Sequence, residues 1–305
     1  MKEKVLITGA NGNLGKKFLL SISNLEICAL VRSEKAENDL KIFVKANCVE
    51  NVEIVKCDYL DLQTIKKLVS SCSYVLHLVG VIKENKENNF DLVHKKTTKV
   101  LVEAIKGSKI KKICYISIVG ANKESRNKCF SSRGTAEKLF LNSEMPCLIL
   151  RAPMILGEGD YASTALKKSA LSKFNFTFRK FSLEQPIYAG DIIEAVKIDI
   201  NKCLNEEPSP SGITILAGPT SLTREQLVEK AAKLLEVKVK VISLPLFLGY
   251  TLARIFELLS SNPPISRAML GVLDHDDDID PLSACRELEI ELTALDKMLE
   301  RTIRP

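Results

Sequence analysis

Apolar residues in the first half of the chain fall into short, nearly continuous runs, separated by segments whose apolar positions recur at helical spacing. The runs predict six strands, at about 4–8, 26–31, 52–55, 74–79, 112–117 and 147–151. Runs that are apolar on both faces belong to strands covered on both sides, as in a parallel sheet. The intervening pattern predicts helices from about 12 to Ser23, over 34–47, over 61–71 with Asp61 as cap, over 88–106 and over 131–142. This alternation is that of a doubly wound α/β fold. Beyond Pro153 it loosens. A strand and helix fit 187–204, a turn-rich break 208–212, a strand 213–216, and a helix 224–235 capped by Thr223. Apolar residues recur at helical spacing over 244–260, which reads first as a core helix of the smaller lobe, and a last helix fits 293–302. We expect a Rossmann-type domain over 1–156 and a smaller C-terminal α/β lobe over 157–305, with a return to the Rossmann sheet around 185–204.

Composition narrows the class without changing this picture. The 305 residues are 46% apolar and 27% charged, as in soluble globular proteins. A net charge of +6 with scattered Lys and Arg argues against nucleic acid and suits an anionic ligand. Nine cysteines without CxxC pairs, beside three histidines, read as reduced thiols rather than a metal array. The acidic run Asp274–Asp280 lacks the spacing and Gly of a calcium loop and reads as a solvated loop, so no metal is expected. Neither a signal peptide nor an apolar run of spanning length is apparent, so the expected location is cytoplasmic.

The stretch with most chemistry is Val5-Leu6-Ile7-Thr8-Gly9-Ala10-Asn11-Gly12-Asn13-Leu14-Gly15. A strand runs into glycines three apart and then into a helix. Such glycines permit a tight turn and close backbone approach to phosphates, and the helix start offers free N–H groups. We therefore expect a dinucleotide cradle made by Gly9, Asn11, Gly12, Asn13, Leu14 and Gly15. Arg32 ends the second strand, where an Arg suits a 2′-phosphate, so NADP(H) is favoured over NAD(H). Asp58, with Tyr59 beside it, follows the third strand on the adenine side. Leu78, Val79 and Gly80 close the fourth strand where backbone passes near a cofactor, and Ser117 ends the fifth. His77, in an apolar strand, reads as a core residue.

These motifs resemble the extended, atypical branch of the short-chain dehydrogenase/reductase superfamily, including its NmrA-like and epimerase/dehydratase-like members. Within that branch the chain is most similar to the dehydrogenase-like accessory subunit of respiratory complex I and its free-standing prokaryotic relatives. Thr8–Gly15 matches the cofactor loop; Phe90-Asp91-Leu92-Val93-His94 resembles the start of the long fourth helix. Leu150-Arg151-Ala152-Pro153, Gly157-Glu158-Gly159-Asp160 and Glu184–Asp191 resemble later motifs, and Pro153 would close over the nicotinamide end. Leu244-Pro245-Leu246-Phe247 and Ala253-Arg254-Ile255-Phe256-Glu257 resemble a late helix of the accessory subunits.

The departures from that pattern bear on activity. Active members carry Tyr-x-x-x-Lys, in which the phenol transfers a proton while the Lys lowers its pKa and holds the nicotinamide ribose. In the register set by Ser132-Arg133-Gly134-Thr135-Ala136-Glu137, Cys129 occupies the Tyr position and Arg133 the Lys position, and no Tyr in the chain has Lys four residues later. Loss of a positioned acid/base typically lowers a rate by about 10²–10⁴. The expectation is a nucleotide-binding protein used as a sensor or as an assembly or accessory factor. The alternatives are a reductase or nucleotide-sugar epimerase/dehydratase with an unconventional acid, and an interaction protein with an empty pocket. The resemblance also implies contact with a protein complex or membrane surface through 244–260, and so a place at the periphery of a membrane complex.

Overall fold

The computed structural model describes residues 3–22, 24–260 and 263–304. Seven parallel strands form one sheet. In chain order its first half runs β1 (Lys4–Thr8), α1 (Asn13–Ser21), β2 (Glu26–Val31), α2 (Glu34–Ala46), β3 (Val52–Lys56), α3 (Leu62–Val69) and β4 (Tyr74–His77). A π-helix over Asp91–Lys96 then continues into α4 (Thr97–Ile105), followed by β5 (Lys112–Ile118), α5 (Lys128–Leu141) and β6 (Cys147–Ala152). The predicted end of α1 at Ser23 lies outside the described residues.

Period-two alternation buries both sides of each strand. Val5 and Ile7 join one core with α1, α2 and later helices, while Leu6, Cys28 and Leu30 join the other with α3, α4 and α5. The predicted strand at 74–79 stops at His77, and Leu78 to Gly80 are loop. The predicted helix at 131–142 begins three residues earlier, because Asn127 caps it by accepting from the backbone N–H groups of Cys129 and Phe130. That capping turn places Cys129 in the first turn of α5.

The second half adds β7 (Ile155–Leu156), α6 (Tyr161–Leu171), β8 (Phe174–Phe178), β9 (Leu183–Glu184), β10 (Ile187–Tyr188) and α7 (Ala189–Leu204). It continues with β11 (Gly212–Ile215), β12 (Leu222–Thr223), α8 (Arg224–Leu234), β13 (Lys240–Leu244), α9 (Leu246–Leu259), α10 (Arg267–Leu273), α11 (Leu282–Leu288) and α12 (Leu295–Ile303). The run at 213–216 supplies the seventh strand, β11, beside β6. Ile192, Val196 and Ile200 of α7 and Leu288 of α11 pack on the same side of the sheet as α1. A separate core joins α6, α8 and α12.

The sheet order is β11-β6-β5-β4-β1-β2-β3. The chain winds outward from β1 to β3 and then returns to β4 on the other side. At that reversal, between β1 and β4, doubly wound sheets carry their ligand crevice at the carboxyl ends of the strands. The acidic run is a loop in which Asp274, Asp276, Asp278 and Asp280 are exposed, though it is tied down at three points. Asp274 and Asp276 pair with Arg179, Asp276 also accepts from the Leu183 N–H, and Asp277 is buried.

At the opposite end of the sheet Lys112 and Asp199 form a buried ion pair, 2.5 Å apart. Ser209 Oγ and the Pro210 carbonyl complete the ammonium's shell, and the Tyr74 hydroxyl donates to Asp199. Breaking such a pair leaves an uncompensated buried charge, at a cost of about 3–5 kcal/mol. Lys112→Met should therefore lower unfolding stability in urea by about that much. Lys112→Met with Asp199→Leu should recover most of the loss, since neither charge is then stranded.

Candidate functional site

The glycine stretch after β1 forms a tight bend in which the Gly12 N–H donates to the Gly9 carbonyl at 3.0 Å. Gly9 has φ +73°, and a Cβ there would stand 3.2 Å from the backbone of Leu78 and Val79. Only glycine meets both conditions without strain. A Cβ on Gly15 would lie 2.4 Å from the Ala10 carbonyl oxygen, so α1 rests directly on the backbone of the bend. α1 starts at Gly12 with no side-chain cap, and Asn11, Gly12 and Asn13 are exposed while Leu14 turns into the core. The helix thus presents its first N–H groups to the crevice.

Tyr59 is buried beneath this bend. Its hydroxyl accepts from the Gly9 N–H at 2.8 Å and donates to the Leu30 carbonyl at 2.9 Å, which ties the bend to β2. Burial pushes its pKa up to about 12. Arg32 is exposed at the end of β2 and makes no ion pair among the described residues. Asp58 is exposed at the neighbouring strand end, where its carboxylate accepts from the Leu60 N–H at 3.0 Å.

Across the crevice the Arg133 guanidinium lies against Gly80, where a Cβ would meet Nη2 at 2.2 Å. Arg133 is 7% exposed and has no carboxylate partner among the described residues. Nη1 donates to the Ile116 carbonyl at 2.9 Å and to the Tyr115 hydroxyl at 3.2 Å, and Nε is buried without an acceptor. Helical spacing pairs Arg133 with Glu137, but that carboxylate faces away. It accepts from Arg151 at 2.6 and 2.9 Å and from the Ser117 hydroxyl at 2.5 Å. The Ser117 hydroxyl is therefore committed to Glu137.

Two histidines flank this cation. His77 Nδ1 meets the Thr8 hydroxyl at 2.7 Å, and its Nε2 is buried without a partner, so the core residue is only half satisfied. His94 Nε2 accepts from the Val81 N–H at 3.0 Å, which leaves Nδ1 to donate to Ser132 Oγ at 2.7 Å. Burial, reinforced by Arg133, depresses their pKa values to about 3 for His77 and about 2 for His94. Both are thus neutral near pH 7.

Cys129 is completely buried, and its Sγ lies 3.9 Å from the Val81 carbonyl. Burial raises its pKa. No surface of the thiol reaches the crevice. Pro153 follows β6 and is half-buried. A cleft of about 580 Å³, which the sequence did not signal, opens beside the start of α5; Glu84, Arg126, Lys128, Tyr250 and Arg267 are among its lining. Its walls come from segments distant in sequence, so no local motif marks it.

A family model described as the NmrA-like family matches residues 1–178, more than half of the chain. The chain belongs to the NmrA-like family. It is also similar to two mitochondrial proteins named NADH dehydrogenase [ubiquinone] 1 alpha subcomplex subunit 9. The one from Arabidopsis thaliana is 24% identical over 230 residues, which span 73% of this chain but 56% of that protein. The one from Mus musculus is 20% identical over 297 residues, 95% of this chain and 77% of that protein. Among solved structures, UDP-glucuronic acid 4-epimerase from Bacillus cereus, in complex with UDP-glucuronic acid and NAD, superposes with a TM-score of 0.72 at 17% identity, over 99% of this chain and 98% of that one. UDP-glucose 4-epimerase from Bifidobacterium longum, in complex with NAD+ and UDP, gives 0.72 at 14% identity, over 98% and 97%. At these identities the likeness establishes the fold. The NmrA-like chain and the epimerases share the doubly wound Rossmann architecture, extended by a smaller lobe.

The buried histidines make this site sensitive to acid. Each has a folded pKa below its ordinary value near 6.5, so the unfolded chain binds more protons between about pH 3 and 6.5. Stability should be full above pH 6.5 and fall as the pH drops, with each histidine contributing a slope of up to about 1.4 kcal/mol per pH unit. His94→Gln should flatten the measured stability–pH curve over that window, so that any deficit from the lost hydrogen bonds is largest at pH 8 and shrinks toward pH 5.

Proposed function

We propose that this NmrA-like protein binds NADP(H) and, lacking the acid/base pair of active dehydrogenases, acts as a nucleotide sensor or as an assembly or accessory factor. The observation that carries this reading is the contrast between the two ends of one crevice. At the β1 end, the bend that a Cβ at Gly9 or Gly15 would obstruct is intact, and α1 is uncapped. At the β5 end, the position of the proton donor holds the buried Cys129, and the Ser117 hydroxyl is committed to Glu137.

The residues fit a dinucleotide. The N–H groups of the bend and of α1 would take the pyrophosphate, Arg32 the 2′-phosphate, Asp58 the adenine side, and Arg133 the nicotinamide ribose. Leu78, Val79, Gly80 and Pro153 would bound the cofactor's path. Bound nucleotide would supply hydride-transfer chemistry. The chain's own residues bind and orient it, but in the position where a phenol would move a proton they offer only a shielded thiol. The neutral His77 and His94 are buried rather than open to a crevice. The naming of two relatives as subunits of a respiratory NADH dehydrogenase supports a role at the periphery of a membrane complex, with 244–260 as contact region. Among the described residues no helix is long and apolar enough to cross a membrane.

The 580 Å³ cleft favours a second reading, an NAD(P)-dependent reductase or nucleotide-sugar epimerase whose acid comes from the substrate. Turnover of any carbonyl or nucleotide sugar by the purified chain, lost in Cys129→Ala, would establish catalysis through the thiol instead.

NADPH should raise the melting temperature of the wild-type chain, and Gly12→Asp should abolish that shift while leaving the unliganded melting temperature nearly unchanged. Arg32→Glu should lower the NADPH/NADH affinity ratio by about 10- to 100-fold, the worth of a charge-assisted contact replaced by repulsion. A chain that shows no shift with either nucleotide would be an interaction protein with an empty pocket.

A further inference from the structure

The smaller lobe carries an apolar surface that the described chain leaves uncovered. β8 and β13 pair in parallel, with Phe174 beside Lys240, Phe176 beside Ile242 and Phe178 beside Leu244. One face of this ribbon turns inward, where Val241 joins the core of α6, α8 and α12. Strand alternation puts the three phenylalanines on the other face. α9 covers that face at one end only: a Cβ on Gly249 would lie 2.9 Å from the Phe178 ring. Phe174 and Phe176 are left 50% and 61% exposed.

α9 buries only Gly249 and Ala253, although the apolar spacing of 244–260 also fits a core helix. Phe247, Leu248, Ile255, Leu258 and Leu259 lie on its outer arc, the last two about four-fifths exposed (80% and 79%). A patch of this kind marks an interaction site rather than an ordinary surface.

Charge selects the occupant. Within 172–178 and 237–259 the only carboxylate is Glu257, and Arg267 holds it at 2.7 Å. Lys173, Lys238, Lys240 and Arg254 are exposed and form no ion pair among the described residues. Lys240 sits beside Phe174 in the register, and Lys173 Nζ lies 5.8 Å from the same ring. Apolar side chains fringed by unpaired cations complement acyl chains beneath anionic headgroups. At 14 residues α9 is too short to span a bilayer but long enough to lie in its surface.

We propose that α9 and the Phe174–Phe176 face of the β8–β13 ribbon dock on an anionic lipid bilayer. Phe247, Leu258 and Leu259 enter the acyl boundary, and Lys173, Lys238, Lys240 and Arg254 contact headgroups. This deepens, and rests on, the reading of 244–260 as the contact region; it does not depend on nucleotide binding.

The test is cosedimentation of the full chain, without nucleotide, with vesicles of phosphatidylcholine alone and of phosphatidylcholine containing phosphatidylglycerol. Binding should favour the anionic vesicles by at least about tenfold, since each cation near the surface is worth about fivefold, and it should weaken as salt is raised. Phe247→Glu with Leu258→Glu should abolish binding to both vesicles. Lys173→Glu with Lys240→Glu should remove the anionic preference. All four residues are exposed, so melting temperature and NADPH binding, measured separately, should match wild type. Absence of vesicle binding at low ionic strength overturns the proposal, as does equal binding to the two vesicles. Dimerisation abolished by Phe247→Glu, or a protein partner that this variant loses while wild type ignores vesicles, would also overturn it and reassign the face.

Discussion

The structure depends on one close approach of backbone to backbone. The bend after β1 is pressed against the loop after β4, with room at Gly9 for hydrogen but not for a methyl group without displacement of Leu78 or Val79. On its other side α1 rests on Ala10 with still less space at Gly15. These contacts set the first helix of the fold at the point where the strand order reverses. They also leave N–H groups of that helix open to the crevice. Tyr59 fixes the arrangement from below by bonding both Gly9 and Leu30.

At the other end of the crevice the same sheet holds a different kind of chemistry. Arg133 brings a positive charge into a buried position where only neutral oxygens meet it. Its i+4 neighbour Glu137 would neutralise it on an isolated helix, but Arg151 of β6 and Ser117 of β5 take that carboxylate instead. The charge that remains helps to keep His77 and His94 neutral. Binding of an anion or a hydroxyl-rich ligand would relieve an electrostatic imbalance that the protein alone does not resolve. Proton transfer, by contrast, finds no exposed donor where Cys129 stands.

The smaller lobe divides its apolar residues between two tasks. Those of α6, α8 and α12 close a core, while those of α9 and the outer face of the β8–β13 ribbon remain at the surface. The acidic run after α10 is exposed yet anchored, because Arg179 and the backbone N–H of Leu183 bind the Asp276 carboxylate. An NmrA-like Rossmann fold is thus joined to a lobe with an outward-facing apolar side.

The sequence by itself determined the parallel sheet, since runs apolar on both faces can be buried only between helical layers. It likewise determined the glycine bend, because strand, turn and helix start are contiguous and Gly9 and Gly15 are required by local geometry. It showed that Tyr-x-x-x-Lys is missing, a matter of residue identity alone. Only the tertiary structure decided which partners the buried polar groups choose. Glu137 turned from Arg133 to Arg151, Tyr59 reached under the bend, and 213–216 joined the main sheet as β11, because each contact joins residues far apart in the chain. It also decided that α9 faces outward. Helical periodicity records that one side is apolar, whereas what covers that side depends on how much apolar surface the neighbouring elements bring to it.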